Sequence, residues 1–340
     1  MLWHRIYENK NQKIIMAKNL YIDASHPSET RVVLKNNENI EDYEYESVNN
    51  TLIKNNIYLG KVSRIEPSLQ AAFVDFGRDR HGFLSFNDIQ SDYYQIPSSD
   101  LELLKAQEEK AREELIKESE KNDQQIIDGS EENLNKIDPI EKYESSNDVD
   151  EFKNKKKYPV KKYKIQEVIK PNQVILVQVL KDERGLKGAA LSTFISIAGK
   201  YIVLMPNTAK GGGISRKIFN PAERKKIRNI LNEIIIPSDM GIIVRTAGSN
   251  KTKNEIENDL ENLVKVWNTI KENAMNSIAP SIIHQESDVI KRSLRDMYDE
   301  ETQNIYVEGN EGYQKTKNYM KLMMPSHVKK IKKYRDKIAL

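Results

Sequence analysis

The sequence predicts an α+β chain of several domains, with a small β-barrel in its first half. Three observations carry this. The chain has 340 residues, whereas one domain usually takes about 100–200. Residues 56–90 are a run of short β-type strings separated by tight turns, the pattern of a small barrel. After residue 193, strand-like strings alternate with amphipathic helical ones.

In chain order, LYIDA (Leu20–Ala24) and TRVVLK (Thr30–Lys35) read as two strands around the turn His26–Ser28. Residues 1–15 show no pattern, and Met16 is as good a start as Met1. NIYLGKVSRI, AAFVDF and RHGFLSF are three strands, broken at Glu66-Pro67-Ser68 and at Gly77-Arg78. LELLKAQEEKAREELIKESEK favours helix but has few apolar anchors after Leu104. The β pattern resumes at Gln173–Asp182, so the middle reads as a loop inserted into one barrel. KYIVLMPN and GIIVRTAG are buried-strand candidates. NPAERKKIRNILNEI is a helix with Asn220 as N-cap and Pro221 at its first position. NEIENDLENLVKVWNTIKENA is a second helix, with Ile256, Leu260, Leu263, Val264, Trp267 and Ile270 on one face. The tail predicts a helix near Ser287–Tyr298, a strand Asn304–Glu308 and a helix near Tyr313–Met324 that stops at Pro325.

Composition narrows the function. The chain has no cysteine, which excludes disulfides and every Cys-ligated zinc or iron–sulfur site. No apolar run approaches the roughly 20 residues of a membrane helix, and the first residues carry no apolar signal core. The net charge is only +3, but it is unevenly spread. Residues 101–150 hold 16 acidic and 7 basic side chains, leaving 47 basic against 35 acidic elsewhere. Seven lysines then fall between Lys153 and Lys164. An acidic run followed by a basic one marks a solvated insertion, and the remainder is basic enough to bind a polyanion.

Few residues point to chemistry. Phe73, Phe76 and Phe83 lie on consecutive barrel strands among Lys61, Arg64, Arg80 and His81. Aromatic faces stack on bases and cations hold phosphates, as in an OB fold on single-stranded RNA. The alternative is that these phenylalanines are the barrel core. Asn207–Lys217 is a glycine-rich loop flanked by Lys210, Arg216 and Lys217. It can gather backbone N–H groups on an anion or simply be a surface loop, and it is not a Walker loop. Arg245-Thr246 ends a buried-looking strand. An Arg there is either a bidentate phosphate fork or the partner of a nearby carboxylate. The five histidines have no metal-ligand spacing, and no pair of aspartates frames a metal site.

NIYLGKVSRIEPSLQAAFVDFGRDRHGFLSF resembles the OB-fold segment of the ribonuclease E/G family. ERGLKGAALSTFISIAGKYIVLMPNTAKGGGISRK, GIIVRTAG and IIHQESDVIKRSLRD resemble it too, in the same order. The likeness spans nearly the whole chain outside residues 1–16 and the acidic insertion. GGGISRK and IIHQES are nearer the E branch than the G branch.

The resemblance implies a cytoplasmic endoribonuclease that cuts single-stranded, AU-rich RNA in mRNA decay and in rRNA and tRNA processing. It implies residues 1–16 as an unstructured extension, and 17–51 and 285–340 as the two parts of a split RNase-H-like subdomain. Residues 52–192 would be an OB fold of the ribosomal S-one type, with 96–163 as a mostly disordered insertion, and 193–284 a 5′ sensor. Arg245 and Thr246 match the pair that grips a 5′-terminal phosphate, and Val203 the strand residue whose backbone assists. Gly199 and Arg216 match further sensor positions. Phe73, Phe83 and Lys187 match RNA-contacting positions of the barrel, to which Lys61, Arg80 and His81 are added as neighbours. The implied partner is single-stranded RNA, preferably 5′-monophosphorylated, with homo-oligomers in the full-length form. Attachment to the inner membrane face would come through other regions or partners.

The family's catalytic region is expected after Leu340. It holds Mg²⁺ on two aspartates and carries a Cys-Pro-x-Cys zinc link. Neither has a counterpart here, so no catalytic residue, metal ligand or cofactor is assigned. The expectation is that this chain alone does not cleave. A stand-alone, non-catalytic RNA-binding protein is the alternative, and an assembly module whose barrel binds protein is a third reading.

Overall fold

The computed structural model describes residues 18–47, 53–107, 110, 163–185, 187–208, 213–237, 239–286, 288–336 and 340. The N-terminal extension, residues 111–162 of the insertion and residues 209–212 of the glycine-rich loop lie outside the described residues. The chain divides into two units, Met1–Leu52 with Glu286–Leu340, and Ile53–Gln285.

The first unit is a sheet with helices on one face. Its first strands are β1 (Lys18–Asp23), β2 (Glu29–Asn36) and β3 (Asn39–Ser47), joined antiparallel. The expected β1 and β2 are present, but β3 was not foreseen. Its sequence, NIEDYEYES, is mostly exposed and lacks an apolar alternation. It forms because it extends a hairpin on the sheet edge. β1 also runs parallel to a late strand, Thr302–Glu308, which pairs with a short one, Ile331–Lys333. Two helices, Val289–Asp296 and Asn310–Met323, pack their apolar sides on Leu20, Ile22, Val32, Leu34, Ile305 and Val307. Asp288 caps the first, accepting from the Lys291 N–H at 3.0 Å, and Glu46 accepts from the Val289 N–H at 2.6 Å.

The second unit opens with a closed five-stranded barrel. The strands are β4 (Ile57–Glu66), β5 (Ala71–Asp75), β6 (Gly82–Ser85), β7 (Val174–Lys181) and β8 (Ala190–Ser192). Hydrogen bonding runs β4-β5-β6-β8-β7, and a further β4–β7 pairing closes the ring. Closure answers the expectation that β7 completes the strands of residues 56–90. The intervening chain leaves as a helix from residue 98 and returns through one helical turn, Ile165–Val168. Val62, Val74, Leu84, Val177 and Leu191 fill the interior.

A small α/β layer follows within the same unit. β9 (Ile197–Ala198), β10 (Ile202–Met205), β11 (Gly213–Ile214) and β12 (Gly241–Val244) make a sheet ordered β11-β12-β10-β9. The expected helices are α1 (Pro221–Glu233) and α2 (Lys253–Asn276). The Asn220 side chain does cap α1, accepting from the Ala222 N–H at 3.0 Å. A capping box between Thr252 and Glu255 starts α2. Ile256, Leu260, Leu263, Trp267 and Ile270 are the buried face of α2. Val264, expected on that face, is only partly buried beside them. A short strand after α2, Ser281–His284, was not foreseen, and it returns to pair with β4.

Two side-chain amides, one buried and one half-buried, join barrel and layer. Gln178 is 1% exposed. It accepts from the Ser196 N–H at 2.8 Å and donates to the Asn55 and Ser196 carbonyls at 3.1 and 2.8 Å. Asn207 donates to the Thr193 carbonyl at 2.7 Å and accepts from the Ile195 N–H at 3.1 Å. Backbone groups between the two parts are thereby satisfied without regular pairing.

Candidate nucleic-acid interface

The barrel surface collects the aromatic and basic residues singled out in the sequence, except Phe76. Strand alternation sends successive side chains to opposite faces. Phe76 points inward, 1% exposed, with its ring edge-on to Tyr58 at 5.1 Å. It belongs to the core, so the core alternative holds there. Phe73 and Phe83 point outward and stand directly opposite one another on β5 and β6. Their ring centroids are 6.0 Å apart, edge to face. Phe83 is exposed and Phe73 partly buried.

The next strand extends this row. Arg64 pairs across from Phe73 on β4 and lays its guanidinium over that ring, 4.6 Å from the centroid. A cation over an aromatic face beside an exposed ring suits both a phosphate and a base. Arg64 stood among the barrel cations in the sequence, but only the register puts it on Phe73. A bulge between Val62 and Arg64 turns both Arg64 and Lys61 outward. Lys61 is in the neighbouring row, opposite Asp75.

Arg80, His81 and Lys187 belong to one corner. Arg184 and Lys187 bridge each other's backbones at 3.0 and 3.2 Å, making a tight loop before β8. Arg80 Nη1 donates to the Gly185 carbonyl in that loop. Gly188 lies against the His81 carbonyl so closely that a Cβ there would collide with it. Arg80, His81 and Lys187 are all exposed.

The second cluster is built around a buried carboxylate that sequence reasoning missed. Asp259 lies on α2 between Ile256 and Leu263, on the helix face that packs inward. An acid set in an apolar stripe was the available signal. Its carboxylate accepts from the N–H groups of Tyr201 at 2.8 Å, Ile202 at 3.2 Å and Lys200 at 3.4 Å. This fixes the tight link between β9 and β10. Gly199 is required there by proximity, since an added Cβ would sit 2.6 Å from Asp259 Oδ2 and 2.9 Å from Leu263 Cδ1.

That link receives Arg245. The Arg245 N–H donates to the Tyr201 carbonyl at 2.8 Å, and its Nη1 donates to the Gly199 carbonyl at 2.7 Å. The residue is partly buried and starts a single 3₁₀ turn, Thr246–Gly248. Thr246 is exposed on that turn. The carboxylate alternative for Arg245 has a candidate in Asp259, to which Arg245 is drawn electrostatically. Arg216 is exposed on the turn after β11, beside the end of β12, because the Ser215 N–H donates to the Val244 carbonyl at 2.9 Å. Val203 is on β10, two residues past Tyr201, flanked by Ala198 and Ile243. Gly199, Arg245, Thr246 and Arg216 therefore lie toward the same end of this sheet's strands, and Val203 is set back within it.

Burial pushes the Asp259 pKa up, outweighing the three N–H donors and the Arg245 charge that pull it down. A carboxyl whose folded pKa is raised adds stability that is present below the ordinary Asp range and is lost as pH rises through the folded value. Asp259→Asn cannot titrate. The stability margin of wild type over this variant, from denaturant unfolding, should narrow as pH rises from about 4 upward. A margin that widens over that range would contradict the assignment.

Among the described residues, no group of three or more His, Asp or Glu side chains could hold a metal ion, and no helix is long and apolar enough to cross a membrane. The model of the Ribonuclease E/G family matches residues 196–340. Ribonuclease E of Haemophilus influenzae is 33% identical over 323 residues, covering 95% of this chain and 28% of that protein. Ribonuclease E of Escherichia coli is 33% identical over 324 residues, 95% of this chain and 25% of that protein. Ribonuclease E of Synechocystis is 40% identical over 156 residues, 46% of this chain and 23% of that protein. The chain thus spans between a fifth and a third of these relatives' lengths. With the closed barrel and the order of its motifs, this chain belongs to the ribonuclease E/G family.

Proposed function

We propose that this chain is the RNA-binding, 5′-monophosphate-sensing part of a ribonuclease E-like endoribonuclease. One observation carries the reading. Arg245 and Thr246 occupy a rigid strand end, with the guanidinium held by the Gly199 carbonyl and the backbone by Tyr201. A guanidinium positioned in this way can offer its planar donors to a phosphate, and the neighbouring Thr246 hydroxyl would add a donor. Gly199 and Val203 would shape the pocket and Arg216 would add charge.

The barrel would hold the single strand downstream. Phe83 and Phe73 would stack on bases, while Arg64, Lys61, Arg80, His81 and Lys187 would track phosphates. The barrel is then the OB fold of ribosomal S-one type, residues 193–284 the sensor, and the sheet of the first unit the split RNase-H-like subdomain. The whole protein would act on single-stranded, AU-rich RNA in the cytoplasm, in mRNA decay and in rRNA and tRNA processing. It would assemble as a homo-oligomer and reach the inner membrane face through other regions. In this reading the present portion binds RNA and the cut is made elsewhere.

The test is a binding series on one short AU-rich RNA with either a 5′-monophosphate or a 5′-hydroxyl. Arg245→Ala should weaken the monophosphate complex by about 1.5–3 kcal/mol, the worth of a charge-assisted hydrogen bond. It should leave the hydroxyl complex nearly unchanged. Phe83→Ala should weaken both by about 1–3 kcal/mol, the stacking range. Equal losses on the two RNAs for Arg245→Ala would remove the sensor reading. The same RNAs, incubated with rigorously purified chain and Mg²⁺, should remain intact on a gel, and metal-dependent cutting would overturn the division of labour.

A further inference from the structure

We infer that Phe219 is a base-stacking platform for the RNA strand whose 5′ end is held at Arg245. This rests on the phosphate reading of Arg245 and extends it to a nucleobase subsite that the family resemblance did not assign. Phe219 is 84% exposed. A lone exposed phenylalanine needs no explanation, but this one has three further properties.

The first is its position. β11 runs parallel to the end of β12, with Ile214 beside Val244, and the Ser215 N–H continues the ladder onto the Val244 carbonyl. Neighbouring strands are about 4.8 Å apart, so the chain from Ser215 onward starts next to Arg245. The second is rigidity. Ser215–Ile218 is a turn closed by the Ile218 N–H on the Ser215 carbonyl at 3.1 Å. Arg224 Nη1 reaches back from α1 to both the Ser215 and Ile218 carbonyls at 3.2 Å. Ile218 is buried on one side of Phe219, and Asn220 caps α1 on the other. The ring thus projects from a backbone pinned on both sides, and little freedom is lost when a base covers it.

The third is company. The turn presents Arg216 and Lys217, both exposed, on the way to Phe219. Cations beside an exposed aromatic ring are the elements of a sequence-tolerant single-strand site, where each base offers a π-face and each nucleotide a phosphate. A protein partner for the same ring would not depend on the bases of an added RNA, which makes the two separable.

The experiment uses the full chain and three 5′-monophosphorylated AU-rich oligonucleotides. One is intact, one is abasic at its first three positions, and one is abasic at three positions near its 3′ end. Phe219→Ala should lower affinity for the intact and the 3′-abasic RNA by about ten-fold, within the stacking range. It should not change affinity for the 5′-abasic RNA. Phe219→Tyr should bind as wild type. Phe219→Trp should show fluorescence quenching by the intact RNA that is absent from wild type and weak with the 5′-abasic RNA. No loss in Phe219→Ala, or an equal loss on all three RNAs, would overturn the proposal. The sensor reading is scored separately, by the preference of each variant for a 5′-monophosphate over a 5′-hydroxyl. Phe219→Ala should retain that preference. If wild type prefers the monophosphate but Phe219→Trp gives no quenching, only the platform fails. If wild type shows no preference, the sensor reading fails and the platform, defined by a strand held at Arg245, falls with it.

Discussion

The carboxylate of Asp259 is the constraint on which the α/β layer depends. It takes the N–H groups of Lys200, Tyr201 and Ile202 out of the solvent and binds the β9–β10 link to α2. Unmade, each of those bonds would leave a donor unsatisfied in or near the core. The link then offers two carbonyls, of Gly199 and Tyr201, to Arg245. The Asp259 carboxylate and the Arg245 guanidinium also attract one another electrostatically. The same arrangement explains the small residue at position 199, where any side chain would meet the carboxylate.

The barrel solves a different problem with similar means. A closed ring of five strands has few edges to protect, and its inward positions are filled by aliphatic residues together with Tyr58 and Phe76. Its outward row of Arg64, Phe73 and Phe83 is aligned by the register of β4, β5 and β6. Gln178 and Asn207 tie this ring to the α/β layer through backbone carbonyls and N–H groups. The two candidate surfaces therefore belong to one unit.

Much of this was legible in the sequence where a local signal existed. The barrel strands, the Asn220 cap and the apolar face of α2 follow from turn residues and periodicity, and the structure contains them. β3 was not legible, because Glu41, Asp42, Tyr43 and Glu44 give no alternation. It is a strand only because β2 offers an edge. Ser281–His284 was missed for the same reason, since its partner β4 is more than 200 residues away in sequence. The phenylalanines of the barrel could not be sorted by sequence alone. Register does it, turning Phe76 inward and Phe73 and Phe83 outward. Asp259 was visible as an acid in an apolar stripe, but its three partners are 57 to 59 residues away and no spacing rule reaches them.

The most direct test of the account is a ³¹P NMR titration of the 5′-phosphate of a short RNA, free and bound to this chain. A monoester phosphate loses its second proton near pH 6, and a guanidinium beside it favours the dianion. Binding should move the titration midpoint down, and the Arg245→Ala chain, at concentrations that still saturate the RNA, should move it clearly less. A midpoint unmoved by the wild-type chain would mean that no cation grips the 5′-phosphate, and the central claim would fail.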